Sequence, residues 1–103
     1  MHATIRRYEG VDTTRINELV GKVDETFVPQ IRELPGFAGY YLVESGNGVL
    51  SSLGLFETSE QAEESSKLVS KWINDERLSE AIPSAPKITT GKVVARSSLV
   101  TAS

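Results

Sequence analysis

The stretch FAGYYLVESGNGVLSSLGLF, residues 37–56, is the most informative part of this 103-residue chain about its fold. Aromatic and branched side chains dominate both of its halves, which is typical of β-strands. Between the halves lies Ser45-Gly46-Asn47-Gly48, and Asn-Gly tolerates the positive φ values that a tight hairpin requires. The stretch therefore predicts two antiparallel strands, 37–44 and 49–56, joined by that turn.

An amphipathic helix is predicted ahead of this hairpin. Apolar residues recur at steps of three and four from Ile16 to Leu34 and form a single stripe. Pro29 lacks an amide donor and its ring crowds the preceding turn, so we expect a bend about one turn earlier. Pro35-Gly36 then ends the helix.

A second helix is predicted after the hairpin. Thr58 and Gln61 have the spacing of a capping box, and the helical pattern extends to about residues 78–81. Short segments that favour β-structure, 4–9 and 87–96, complete the order β-α-β-β-α-β.

This order predicts an α+β, ferredoxin-like fold with a four-stranded antiparallel sheet and two helices on one face. We expect a single domain over residues 1–96, followed by a Ser-rich C-terminal tail over 97–103. Several large apolar residues of the hairpin must then lie on the sheet face that the helices leave open. Such patches usually mark an interface, so we expect a homodimer through that face.

Composition excludes several classes of function. The chain has no cysteine and one histidine, His2, so thiolate sites, catalytic triads and multi-histidine metal sites lack their parts. A net charge of −3 argues against a nucleic-acid partner. No apolar run approaches the ~20 residues of a membrane helix, and no apolar stretch follows the basic N-terminus. We therefore expect a cytoplasmic protein with no metal, no nucleic acid and no membrane partner.

Three segments carry a resemblance to a known family: FVPQI (27–31), LPGFAGYY (34–41) and LGLFET (53–58). They resemble small bacterial proteins of the dimeric α+β barrel superfamily, which contains the antibiotic-biosynthesis monooxygenase (ABM) domains. The resemblance implies that two sheets face each other across a two-fold axis. Haem-binding relatives use a helix histidine that this chain lacks, so no haem or other cofactor is expected.

The resemblance leaves two functions open. The first is a cofactor-independent monooxygenase, an oxidoreductase acting on an aromatic or polyketide-like small molecule. The second is a non-catalytic dimeric protein that binds a small apolar molecule or takes part in a stress response. Which of the two is correct depends on whether the space between the helices and the sheet forms a pocket that binds a small molecule.

Two neighbouring arginines are the first candidates for substrate binding. Arg6 and Arg7 occupy adjacent positions on one strand and must point to opposite sheet faces. An arginine in the cleft would hold an anionic or phenolic substrate through its fixed fork of donors. The alternative for either is an ion pair with a carboxylate at a strand end.

Aromatic residues are the other candidates. Tyr8, Tyr40 and Tyr41 supply rings and hydroxyls, and Trp72 lies beside the apolar stripe of the second helix. The alternative is ordinary packing, with Trp72 closing the core between helix and sheet. A pocket of roughly 300 Å³ would favour a ligand site, whereas a seam filled by aromatic rings would favour packing.

Overall fold

The computed structural model describes residues 1–97 and has the predicted order of elements. The strands are β1 (His2–Tyr8), β2 (Phe37–Gly46), β3 (Val49–Phe56) and β4 (Lys87–Lys92), and the helices are α1 (Ile16–Lys22), α2 (Val28–Arg32) and α3 (Ser59–Asp75). All but the first residue of the predicted tail, 97–103, lies outside the described residues.

The four strands form one antiparallel sheet in the order β2-β3-β1-β4. The hairpin between β2 and β3 turns at Asn47 and Gly48, whose φ angles are +55° and +75°. These are the positive values that the Asn-Gly pair predicts. The helices cover one face of the sheet, so the predicted α+β, ferredoxin-like architecture is confirmed.

The two sheet faces differ in what they carry. On β1, Thr4, Arg6 and Tyr8 point toward the helices and are buried, whereas Ile5 and Arg7 point the other way and are exposed. Each residue on β3 shares its face with the residue directly opposite on β1. The helix-facing side therefore mixes aromatic rings with polar groups, which is unusual for a core.

The first helical segment differs from a simple bent helix. A 3₁₀ turn (Thr13–Arg15) leads into α1, and a π-helical turn (Val23–Phe27) joins α1 to α2. The amide of Val28 bonds to the Val23 carbonyl five residues back, which is the π pattern. Pro29 removes the amide that would bond to the Glu25 carbonyl, and the chain accommodates this by widening one turn.

The second helix begins as predicted and ends earlier. Thr58 and Gln61 exchange the two hydrogen bonds of a capping box. Helix α3 ends at Asp75 and not at residues 78–81, although Leu78 and Ala81 remain buried in the turns that follow. Among the strands, β1 begins earlier than predicted, at His2, and β4 stops at Lys92.

Candidate functional site

A small cavity lies between the helix layer and the sheet. Its volume is about 40 Å³, and its walls come from α1, the π turn, α3 and the three strands β1, β2 and β3. Most of the lining is apolar, and Tyr8, Tyr40 and Ser52 bring hydroxyl groups to it. In its present shape the cavity holds a few water-sized molecules and no aromatic ring.

Three aromatic rings pack together between the helix layer and the sheet, at the wall of this cavity. The ring of Phe27 lies 5.3 Å from that of Tyr40 and 5.1 Å from that of Trp72, centroid to centroid, with interplanar angles of 60° and 56°. These tilted contacts are the arrangement that aromatic quadrupoles favour. The rings come from the π turn, β2 and α3, so the cavity wall joins all three elements.

A hydrogen-bond network fixes the indole of Trp72. Its Nε1–H donates to the hydroxyl of Thr26 at 2.7 Å. That hydroxyl lies 2.9 Å from Glu76 Oε1 and 2.8 Å from the carbonyl of Lys22. The π turn and α3 are therefore linked by a partly buried polar contact that includes Trp72, one of the three rings of the aromatic wall.

A groove of about 230 Å³ adjoins the cavity. The two share the side chains of Val23, Tyr40, Leu42 and Leu50, and the groove extends along α1 and the π turn beside β2. Asp24 and Glu44 also line the groove. We call the cavity and the groove together the cleft.

Arg6 carries a buried positive charge beside the cleft. Its side chain is 4 % exposed, and its Nη2 donates to the hydroxyl of Ser66 on α3. Among residues 1–97 no carboxylate lies within ion-pair distance of the guanidinium. Burial lowers the pKa of Arg6, but a guanidinium remains charged at neutral pH.

Arg6 does not itself line the cavity. It lies directly across the sheet from Ser52 and two residues from Tyr8, and both of those side chains do line it. Residues two apart on a strand are ~7 Å apart, so Arg6 is close enough for its charge to act on a group bound in the cavity. The hydroxyls of Tyr8 and Ser52 are the groups that a ligand in the cavity would contact.

The two tyrosines of the cleft, the buried Tyr8 and the partly buried Tyr40, stay protonated at neutral pH. Burial raises the pKa of Tyr8. Burial also raises the pKa of Tyr40 to about 12, and the neighbouring Tyr8 adds to this, while Arg6 and the Ser52 hydroxyl act in the opposite direction. Neutral phenols donate hydrogen bonds and leave the charge of Arg6 uncompensated. The inner end of the cleft is therefore suited to an anionic oxygen.

The structure brings four of the six sequence candidates together. Tyr8, Tyr40 and Trp72 line the cavity, and Arg6 lies next to it. The other two candidates, Arg7 and Tyr41, lie on the opposite sheet face and do not reach the cleft. The Nε of Arg7 is 3.3 Å from Glu9 Oε1, and Tyr41 is 61 % exposed.

Sequence reasoning missed three polar residues of the site: Ser52, Ser66 and Thr26. Ser52 had a usable signal, since β3 carries two adjacent serines, Ser51 and Ser52, and alternation must place one of them on the helix-facing side. Ser66 lies in the narrow apolar stripe of α3, where a hydroxyl predicts a buried partner. Thr26 had no such signal, because its contact with Trp72 spans 46 positions in sequence.

Over residues 1–97 no three His, Cys, Asp or Glu side chains are grouped so that they could hold a metal ion. In the same range no helix is long and apolar enough to cross a membrane.

The sequence matches no protein-family model and no curated protein. Its fold, in contrast, is shared with solved structures. A protein of unknown function from Nitrosomonas europaea superposes with a TM-score of 0.77 at 12 % identity, over 96 % of this chain and 94 % of that one. A structure described as an antibiotic biosynthesis monooxygenase gives 0.70 at 12 % identity, over 92 % of this chain and 100 % of that one.

A third structure contains a bound small molecule. It is a monooxygenase from Streptomyces coelicolor in complex with Nanaomycin D, with a TM-score of 0.65 at 19 % identity, over 98 % of this chain and 92 % of that one. These likenesses establish that the chain has the ABM-like α+β fold, as the sequence resemblance predicts. At such identities they establish the fold alone.

Proposed function

We propose that the cleft binds an electron-rich aromatic molecule with an acidic hydroxyl, and that the chain is a cofactor-independent monooxygenase of the ABM type. The observation that carries this proposal is the buried, uncompensated charge of Arg6 beside two neutral phenols and the Trp72 ring. A structural arginine in a core is normally paired with a carboxylate. An anionic ligand would supply the missing partner.

The proposed reaction uses the anion of the substrate. Tyr8 and Tyr40 donate hydrogen bonds to its phenolate oxygen, and Arg6 stabilises the negative charge from beside them. An activated CH₂ group of the substrate loses a proton to water, and the resulting carbanion, delocalised into the ring, transfers electrons to dioxygen. A C–O bond forms at that carbon, and the terminal peroxide oxygen takes up a proton to give a hydroperoxide. Loss of water leaves a carbonyl, so one CH₂ and one O₂ give one C=O and one H₂O. No external reductant is needed.

Oxygen uptake with 1,8-dihydroxyanthrone tests the reaction. We expect the protein to consume oxygen and form the quinone faster than buffer does, and Arg6→Met to lower that rate about tenfold or more. Arg7→Met is the matched control, because it removes the same charge from the opposite sheet face, and its rate should be unchanged. Equal rates for the two variants, or no uptake above buffer, would contradict the proposed reaction.

One observation counts against a substrate site in the present shape of the cleft, and so favours the second, non-catalytic function. The cavity measures about 40 Å³, whereas small-molecule sites span ~300–1,000 Å³. A ring can enter only if the aromatic wall moves toward the adjoining groove. A protein that binds 1,8-dihydroxyanthrone without consuming oxygen would have this second function.

We also propose a homodimer formed through the open sheet face. That face exposes 43 % of Ile5 on β1 and, on β2, 61 % of Tyr41 and 55 % of Val43, with Leu53 of β3 between Ile5 and Tyr41. Face-to-face pairing around a two-fold axis would cover both patches at once. Light scattering should then give twice the 11.2 kDa mass of one chain, and a folded species of 11.2 kDa at micromolar concentration would contradict the dimer.

A further inference from the structure

The hydrogen-bond partner of Arg6 is a neutral hydroxyl, so a positive charge remains beside the cleft. A buried guanidinium needs a hydrogen-bond acceptor, and a carboxylate would meet that need while cancelling the charge. The structure provides the hydroxyl of Ser66 instead. A hydroxyl orients the guanidinium and leaves its charge intact.

Ser66 lies between Arg6 and a second, polar chamber of about 70 Å³. The chamber lies near the start of α3 and is lined by the hydroxyl-bearing residues Thr4, Ser59, Ser66 and Thr90 together with His2, Ala62 and Glu63. Arg6 lines neither this chamber nor the cavity, and Ser66 is the residue of the chamber that accepts a hydrogen bond from its guanidinium. The position of Ser66 on α3 holds it at the boundary between them.

We propose that Ser66 is a positioning residue: its hydroxyl holds the Arg6 guanidinium beside the cleft without neutralising it, so that the charge acts on an anionic group bound there. This inference rests on the proposed function, since it assumes an aromatic anion in the cleft. The titratable groups that act on the guanidinium are Tyr8 and Tyr40 on the sheet, and His2 and Glu63 line the chamber on the other side of Ser66.

Replacing Ser66 with aspartate distinguishes the effect of this residue on stability from its effect on ligand binding. Ser66→Asp gives Arg6 an ion-pair partner, so the midpoint of urea unfolding should be equal to or above that of the unaltered chain. Ser66→Ala removes the acceptor and should lower the midpoint, whereas Ser66→Thr keeps the hydroxyl and should restore it. Ser70→Asp is the matched control, because it adds the same charge one turn further on the exposed side of α3.

The ligand readout is the pKa of bound 4-nitrophenol, whose phenol and phenolate absorb at different wavelengths. In the unaltered chain this pKa should lie below that of the free phenol. In Ser66→Asp the new carboxylate neutralises Arg6, so the pKa of bound 4-nitrophenol should rise by about one unit, which is a tenfold loss of preference for the phenolate. In Ser70→Asp this pKa should be unchanged.

The outcomes are distinguishable. If Ser66→Asp retains stability and raises the pKa of bound 4-nitrophenol, the positioning role is supported. If Ser66→Asp destabilises the fold as much as Ser66→Ala does, or leaves that pKa unchanged, the inference is overturned. If the unaltered chain binds no 4-nitrophenol, the proposed aromatic-anion site fails, and the role of Ser66 toward a ligand fails with it.

Discussion

Arg6 and Arg7 show how much depends on a single strand position. They are adjacent and chemically identical, yet one is buried without a carboxylate and the other forms an exposed ion pair with Glu9. Alternation along the strand predicts that they face opposite ways. It cannot say which faces the helices, because both faces of β1 mix polar and apolar residues. That choice depends on register with β3, where Arg6 is paired with Ser52.

At the residue scale, Thr26 should determine how firmly Trp72 is held. Thr26→Val is close in shape and leaves the indole N–H without its acceptor, so we expect a loss of about 1–2 kcal/mol in unfolding free energy. The emission spectrum of Trp72 should shift as well. Thr13→Val, an exposed change in the 3₁₀ turn, is the control. Equal stability of the two variants would show that the network contributes nothing.

At the element scale, the first helical segment was predictable in its burial and not in its geometry. Val23, Phe27 and Ile31 are all buried, as the apolar stripe predicts. The π turn was not predictable, because Pro29 is compatible with either a kink or a widened turn. The difference matters for the site, since the widened turn places Phe27 against Trp72 and Thr26 beneath it.

Two glycines give a paired test of the elements around the cleft. Gly36 has φ +75°, and a Cβ there would collide with the carboxamide of Gln61 in the capping box of α3. Gly36→Ala should therefore destabilise the protein by about 1–3 kcal/mol. Gly21 lies in α1, where an added methyl group would meet no atom within 4 Å, so Gly21→Ala should stabilise by about 0.5–1 kcal/mol. Urea unfolding measures both, and a Gly36→Ala midpoint at or above that of Gly21→Ala would contradict these expectations.

At the scale of the whole molecule, the sequence predicts the architecture and leaves the cleft undetermined. The Asn-Gly turn, the capping box and the order of elements depend on residues close together in sequence, so they can be recognised from the sequence. The cleft depends on contacts between distant segments, such as Arg6 with Ser66 and Phe27 with Tyr40. Tyr40 and Tyr41 illustrate this, because only the register of β2 against β3 places Tyr40 inside.

Binding of an aromatic ligand in the cleft can be measured through the fluorescence of the single tryptophan. Trp72 is 6 % exposed, so a quencher in solution reaches it poorly. Titration with 5-hydroxy-1,4-naphthoquinone should give saturable quenching at one ligand per chain, weakened about five- to tenfold in Tyr40→Phe and unchanged in Tyr41→Phe on the opposite face. Quenching that rises linearly with concentration, equally in all three proteins, would contradict a ligand site in the cleft.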